Sequence, residues 1–227
     1  MSTPEPVQQL THTTLRVQAR RALRGSIISG EIEAGRLYSV GEFAERLGVS
    51  ATPVREALGD LEQRGLIKVV RNRGFIVPPL TEHDLDEIFQ IRIILEVAAV
   101  AEITGKLRAT DAERCDIFVE RALESAEKGD IVGFLEADRD FHLTLIGLLD
   151  NKRLVETVDG LRDQTRLYGL AELAAGGQLK ASALEHRELL DAISSNDKVR
   201  ATDTLRRHLV HTRGLWAGRE ELDPATG

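Results

Sequence analysis

The chain has 227 residues, 42% of them hydrophobic and 30% charged, with a formal net charge of −7: the balance of an ordinary globular protein, long enough for one large domain or two small ones. A single cysteine, Cys115, excludes an internal disulfide framework and suits a reducing compartment. No run reaches the roughly 20 apolar residues that span a bilayer, and MSTPEPVQQL at the N-terminus has no basic start followed by an apolar stretch, so neither a membrane anchor nor a signal peptide is expected and the cytoplasm is the expected location.

The charge is unevenly spread. Residues 1–78 carry 11 Lys/Arg and 8 Asp/Glu, a net +3, which leaves −10 on the remainder. A basic head on an acidic body points to two jobs.

Residues 1–12 are polar, contain two prolines and read as frayed. From 14 to 29, Leu15, Ala19, Ala22, Leu23 and Ile27 recur at helical spacing, with Arg16, Arg20, Arg21 and Arg24 on the other face. A short helix over 40–47, a turn at Gly48-Val49-Ser50 and a second helix over 51–64 follow. Ser50 or Thr52 can cap that second helix, Pro53 fits its first turn, and Gly65 ends it. In LIKVVRNRGFIV, residues 66–77, two β-rich runs flank Arg71-Asn72-Arg73-Gly74 and predict a hairpin. Pro78-Pro79 then marks a domain boundary, giving domains 1–78 and 79–227.

Helix, glycine-containing turn, helix and hairpin, in that order, make a winged helix-turn-helix. Its second helix presents an N-terminal end to the major groove, where backbone N–H groups and side chains meet phosphates and base edges. Thr52 and Arg55 occupy that end, with Val49, Val54 and Leu58 facing inward. Arg71 and Arg73 stand at the wing tip, and Gly74 permits a tight turn and close approach to DNA. The stretch from AGRLYSVGEFAERLGVS through ATPVREALGDLEQRGLIKVVRNRGFIV resembles the GntR family of bacterial transcription regulators over residues 14–78. The resemblance puts the family's DNA-contacting arginine on Arg55 and its wing glycine on Gly74. Two positions depart from the family pattern: Ala51, where members often carry arginine, and Gly41, where some members do.

Beyond Thr81 the pattern is helical throughout, with helices predicted at about 81–107, 110–128, 130–149, 151–175, 179–195 and 197–217. The fold class is therefore mainly α: a winged helix-turn-helix with a small hairpin, then an all-α bundle. In the first of these helices Ile88, Ile91, Leu95 and Ala99 mark the packed side. Arg92 lies among them, either as a bidentate clamp for a ligand carboxylate or in an ion pair with Glu96. Arg166 is a second candidate for a ligand pocket.

In DRDFHLTLI, residues 138–146, Asp138 and His142 fall on the same apolar face as Phe141 and Leu145. An unpartnered buried polar group costs roughly 1–3 kcal/mol, so something must meet them. His186 lies in line with Leu189, Leu190 and Ile193; His208 lies in line with Ala201, Leu205 and Thr212. Each stands eleven residues from Asp197, one before and one after. A helical hairpin folded there sets both imidazoles at the same height, roughly 15 Å from the turn. Asp138 and His142, one turn apart, add two ligands from a third helix. Three imidazoles and one carboxylate converging in a bundle core form a candidate site for Zn, Ni, Mn, Fe or Co. His211 sits off the apolar line, and His83 and His12 read as surface residues.

The body also resembles the FCD ligand-binding domain of the FadR-type branch of the GntR family. EIFQIRIILEVAA (87–99), DRDFHLTLI (138–146), EHRELLDAI (185–193) and LRRHL (205–209) carry that resemblance. It places the family's metal-binding aspartate and three histidines on Asp138, His142, His186 and His208, and a family arginine on Arg92. What it implies is a DNA-binding transcription regulator acting as a repressor. A homodimer would read a palindromic double-stranded operator, and a small carboxylate effector bound at the metal would control its affinity. Two alternatives stand beside this: a regulator whose metal is purely structural, and a metalloenzyme.

Overall fold

The computed structural model describes residues 11–165 and 178–216. Arg166, the predicted extension of a helix to residue 175 and both chain ends lie outside the described residues. The chain divides into two compact units, residues 1–79 and 80–227.

The head contains α1 (Thr11–Ile28), β1 (Leu37–Tyr38), α2 (Val40–Arg46), α3 (Ala51–Gln63), β2 (Lys68–Val70) and β3 (Gly74–Ile76). Ala19, Leu23 and Ile27 bury the apolar stripe of α1, which packs on α3. Part of its arginine face is spent there: Arg16 pairs with Asp60 of α3 through Nε–Oδ2 at 2.9 Å, and Arg20 stands 3.7 Å from the same carboxylate. Ser39 caps α2 by accepting from the Glu42 N–H at 3.1 Å. Ser50 is the N-cap of α3 but makes no side-chain cap bond; Pro53 in the first turn has no N–H to satisfy. Gly65, at φ +73°, lets the chain leave α3, and the Leu66 N–H bonds back to the Leu61 carbonyl at 3.0 Å.

The predicted hairpin forms as β2 and β3, and a third strand extends it. β1 joins it, giving a three-stranded antiparallel sheet in the order β1-β3-β2, with Tyr38 opposite Phe75 and Val70 opposite Gly74. Two residues are too short a run for alternation to register in the sequence. This third strand supplies a structural reason for Gly74. A Cβ there would lie 1.9 Å from the Tyr38 carbonyl oxygen, and φ is +135°. Tyr38, Phe43 and Phe75 form the aromatic core beneath, with ring centroids 5.5–5.9 Å apart.

The body is all helical among its described residues: α4 (Glu82–Ile103), α5 (Ala109–Lys128), α6 (Ile131–Gly147), α7 (Lys152–Thr165), α8 (Gln178–Ser194) and α9 (Lys198–Trp216). The punctuation is local. Thr81 and Asp84 close a capping box on α4, with bonds of 3.1 and 2.7 Å. Gly129 ends α5 in the left-handed region, and Asp130 caps α6 through the Gly133 N–H at 2.9 Å. Asn196, at φ +60°, makes the sharp turn between α8 and α9, and Asp197 caps α9 through the Arg200 N–H at 3.0 Å. Phe141, Leu145, Leu189, Ile193 and Leu205 fill one core.

The packed side of α4 is rotated from the sequence reading. Ile88 and Ala99 are buried, but Ile91 is 44% exposed, while Arg92 and Glu96 lie inside at 2% and 1%. Ile94, 63% exposed, shows why: α4 carries aliphatic residues on both sides, so apolar periodicity does not define its inner face.

Candidate metal centre

Helix α6 sets Asp138 and His142 one turn apart on its inward face. The α8–α9 hairpin, folded at Asn196, brings His186 and His208 to meet them. One ligand atom from each of the four lies within 4.8 Å of the others, and all four residues are buried. His142 Nε2 stands 3.1 Å from His186 Nε2, and Asp138 Oδ1 stands 3.2 Å from His186 Nε2 and 3.6 Å from His142 Nε2. The rings of His186 and His208 are 4.6 Å apart at their centroids, and Phe141 seals one side at 4.8 Å from His186.

Around these four is a shell of buried charge. Arg162 of α7 forks between two carboxylates: Nη1 donates to Asp138 Oδ2 and Nη2 to Glu96 Oε2, each at 2.9 Å. The other Glu96 oxygen accepts from Arg92 Nε at 2.8 Å, and Oε2 lies 3.3 Å from His142 Nδ1. On the far side, Glu185 accepts from Nδ1 of His208 at 2.8 Å and from Nδ1 of His211 at 2.9 Å. Burial works to raise the Glu96 carboxyl, yet the two arginines and His142 hold it well below the usual carboxylate range. Burial likewise opposes Glu185, but the two imidazoles bring it to about 2. Burial, with the Arg162 cation, pushes His142 well below the ordinary imidazole value. His208 is lowered by burial, against the pull of Glu185. Neutral imidazoles are the form that binds metal.

The donor set fits a transition metal. A carboxylate only accepts, so Glu185 calls for a hydrogen on Nδ1 of His208, and Glu96 for one on Nδ1 of His142. Both neutral rings then turn a bare Nε2 inward. His208 Nε2 has no hydrogen-bond partner among the described residues, and His142 Nε2 faces another imidazole nitrogen. A proton on His186 can serve one of these lone pairs; a metal ion serves every ligand atom at once. Two ligands about 2.1 Å from one ion, at right angles, stand about 3.0 Å apart, close to the 3.1 and 3.2 Å found here.

Of the other sequence candidates, Arg92 stands behind Glu96 and against the Phe89 ring. Among the described residues, Arg162 hydrogen-bonds a member of the four, Asp138. His83 is on the surface, its side chain 81% exposed beside Glu87. In the head, Thr52, Arg55, Arg71 and Arg73 are exposed and Gly74 is buried. Arg55 and Arg73 line one groove with Ser39, Val40 and Val69. The sequence reading missed Arg162 and Glu185. Arg162 sits four residues after buried Val158, a usable signal, but an arginine at such a position usually reads as helix surface.

Two family descriptions match the chain: "Bacterial regulatory proteins, gntR family" over residues 15–77 and "FCD domain" over residues 87–211. The chain belongs to the gntR family and carries an FCD domain. This gntR-family regulator is 32% identical over 207 residues to the probable D-xylose utilization operon transcriptional repressor of Paenarthrobacter nicotinovorans, covering 89% of each chain. It is 27% identical over 230 residues to the gluconate operon transcriptional repressor of Bacillus subtilis, covering 96% of this chain and 93% of that one. The solved structure of E. coli McbR matches with a TM-score of 0.80 at 28% identity, over 89% of this chain and 97% of that one. These relatives are transcription regulators, so the metalloenzyme alternative falls away. No helix among the described residues is long and apolar enough to cross a membrane.

Proposed function

We propose that this regulator is a metal-dependent sensor of a small organic acid, working as a cytoplasmic repressor of the FadR-type branch. The observation that carries this reading is the convergence of one carboxylate and three imidazoles inside the core. Asp138, His142, His186 and His208 would hold the ion; three nitrogens and one oxygen suit Zn, Ni, Mn, Fe or Co. The ion, when bound, acts as a Lewis acid for a carboxylate oxygen. Arg162 fixes the second oxygen of Asp138 and keeps a guanidinium beside the centre, where an anionic ligand is attracted. Arg92, through Glu96, supports that guanidinium and stands as the second cation available to the ligand. A relative named for a gluconate operon fits an effector of the hydroxy-acid class.

Thr52, Arg55, Arg71 and Arg73, with the Gly74 turn, form the surface for operator DNA, two heads of a homodimer reading two half-sites. Effector binding changes operator affinity by its differential affinity for the two arrangements of the protein, typically about 1–3 kcal/mol. The burial of all four ligands favours one other reading, in which the metal only ties α6, α8 and α9 together. Elemental analysis of untagged protein beside His142→Ala tests the site: about one equivalent of transition metal in wild type, lost in the variant, is expected. A gel shift of the metal-loaded protein against its own upstream DNA, with and without gluconate and other small hydroxy acids, separates the two readings. Release by an acid supports sensing; operator binding indifferent to every acid supports a structural ion; no metal in either protein ends both.

A further inference from the structure

The four candidate ligands do not account for the half-buried carboxylate next to His186 in sequence. Glu185 precedes His186 on α8 but turns toward α9, where its two oxygens meet two imidazoles one helical turn apart. Oε2 takes the Nδ1 hydrogen of His208 at 2.8 Å and Oε1 takes that of His211 at 2.9 Å. At its other end, His211 Nε2 lies 3.2 Å from the side-chain amide of Gln178. A glutamate shared between two imidazoles, with a side chain only 14% exposed, is expensive to bury unless it orders something.

What it orders is a ring. The imidazole of His208 can ligate through Nδ1 or Nε2, and packing alone does not choose the tautomer. A carboxylate on Nδ1 forces the hydrogen onto that nitrogen, leaving the Nε2 lone pair aimed at Asp138, His142 and His186. In the His208 ring, Nε2 is buried and has no hydrogen-bond partner among the described residues. Glu96 stands in a similar relation to His142, but at 3.3 Å and with the same oxygen already engaged by Arg162. The bond from Glu185 is shorter and its oxygen is shared with no arginine among the bonds described.

We infer that Glu185 is a positioning residue of the metal centre, fixing the tautomer and orientation of His208 for Nε2 ligation, with His211 and Gln178 bracing it. This rests on the metal reading of the site, and the test separates the two. Co(II) is added to full-length, metal-free protein, its affinity measured by chelator competition and its visible spectrum recorded. Wild type, Glu185→Gln and Glu188→Gln are compared. Glu188 is the matched control: it lies on the same helix and also bridges to α9, through Arg207 at 2.7 Å, but on the exposed side. The expected result is Co(II) bound about 10- to 100-fold more weakly by Glu185→Gln, with an altered ligand-field spectrum, and Glu188→Gln unchanged on both counts. Far-UV circular dichroism of the metal-free proteins checks that the helices persist. If Glu185→Gln does not fold, the comparison is made with Glu185→Asp, which keeps the charge and withdraws the oxygen by one methylene; the same direction of change is expected. Wild-type affinity and spectrum in the folded variant overturn the inference and leave the metal site standing. Failure of wild-type protein to take up Co(II) overturns the metal reading itself.

Discussion

The head and the body use charge in opposite ways. In the head, Arg55, Arg71 and Arg73 are exposed over a small core of aliphatic and aromatic side chains. In the body, Arg92, Glu96, Asp138, Arg162 and three histidines are buried together, and no one of them is tolerable without the others. An exposed arginine is free to serve a partner and contributes little to folding. A buried one is part of the folding free energy, so function and stability are not separable there. The consequence is a test: substitutions in the head should divide cleanly into folding and DNA-binding classes, while those in the body's polar core should not.

The largest effect is expected from Arg162→Ala. It strips the shared cation from Asp138 and Glu96, both buried. Removing one member of a buried ion network costs about 3–5 kcal/mol, read from urea unfolding of the metal-free protein. Metal affinity should fall as well, because Asp138 loses the contact that fixes its second oxygen. A loss below about 1 kcal/mol would mean that the buried charges are not coupled, and the contrast with the head would collapse.

Much of this arrangement was legible in the sequence because its signals are local or symmetric. Caps and left-handed residues at Thr81, Gly129, Asp130 and Asn196 bound the helices near the predicted places. Asp138 and His142 announce themselves by sharing an apolar face, and the turn near Asp197 converts sequence symmetry into equal height for His186 and His208. The surrounding shell was hidden for a physical reason. Arg162 meets Glu96 across 66 residues and Asp138 across 24, and nothing in local periodicity encodes which distant carboxylate an arginine will find. Glu185 looks like a solvated residue of an amphipathic helix until α9 lies beside it. β1 was missed because its role, closing on β3 over Gly74, exists only in the assembled sheet.

Gly74→Ala tests the head at a position where backbone geometry and not charge decides. The added Cβ would meet the Tyr38 carbonyl at 1.9 Å in a backbone conformation L-residues rarely adopt. The strained backbone alone costs about 1–3 kcal/mol, and the contact adds to it. Faster hydrogen exchange in residues 68–76 is the measurement, with body amides unchanged. Arg55→Ala should do the reverse. The side chain is exposed, so unfolding should be unaltered, whereas operator affinity should fall by about 1–3 kcal/mol if it reads a base. A change in stability with no change in operator binding would place Arg55 in the fold, not on the DNA.

The smallest effect is expected at the ion pair between α1 and α3, where the head comes nearest to the body's way of using charge. Asp60 is partly buried, and the Arg16 side chain beside it is 46% exposed, so water screens the pair and its contribution is slight. The hydrogen bond from Arg16 holds the Asp60 carboxyl below its usual value, with burial pulling the other way and the Arg16 and Arg20 charges adding to the lowering. A depressed folded-state value stabilises the fold while the carboxylate is ionised. The gain is therefore fully present above the unfolded-state value of about 3.9 and disappears as pH falls through the lower folded-state value. Asp60→Asn should lower the head's thermal midpoint by about 2 °C at neutral pH, less in high salt, with the difference from wild type closing under strong acid. A large, salt-insensitive loss would show that even the head's surface pair behaves as a buried one, and the division between the two regions would then follow depth of packing and not domain.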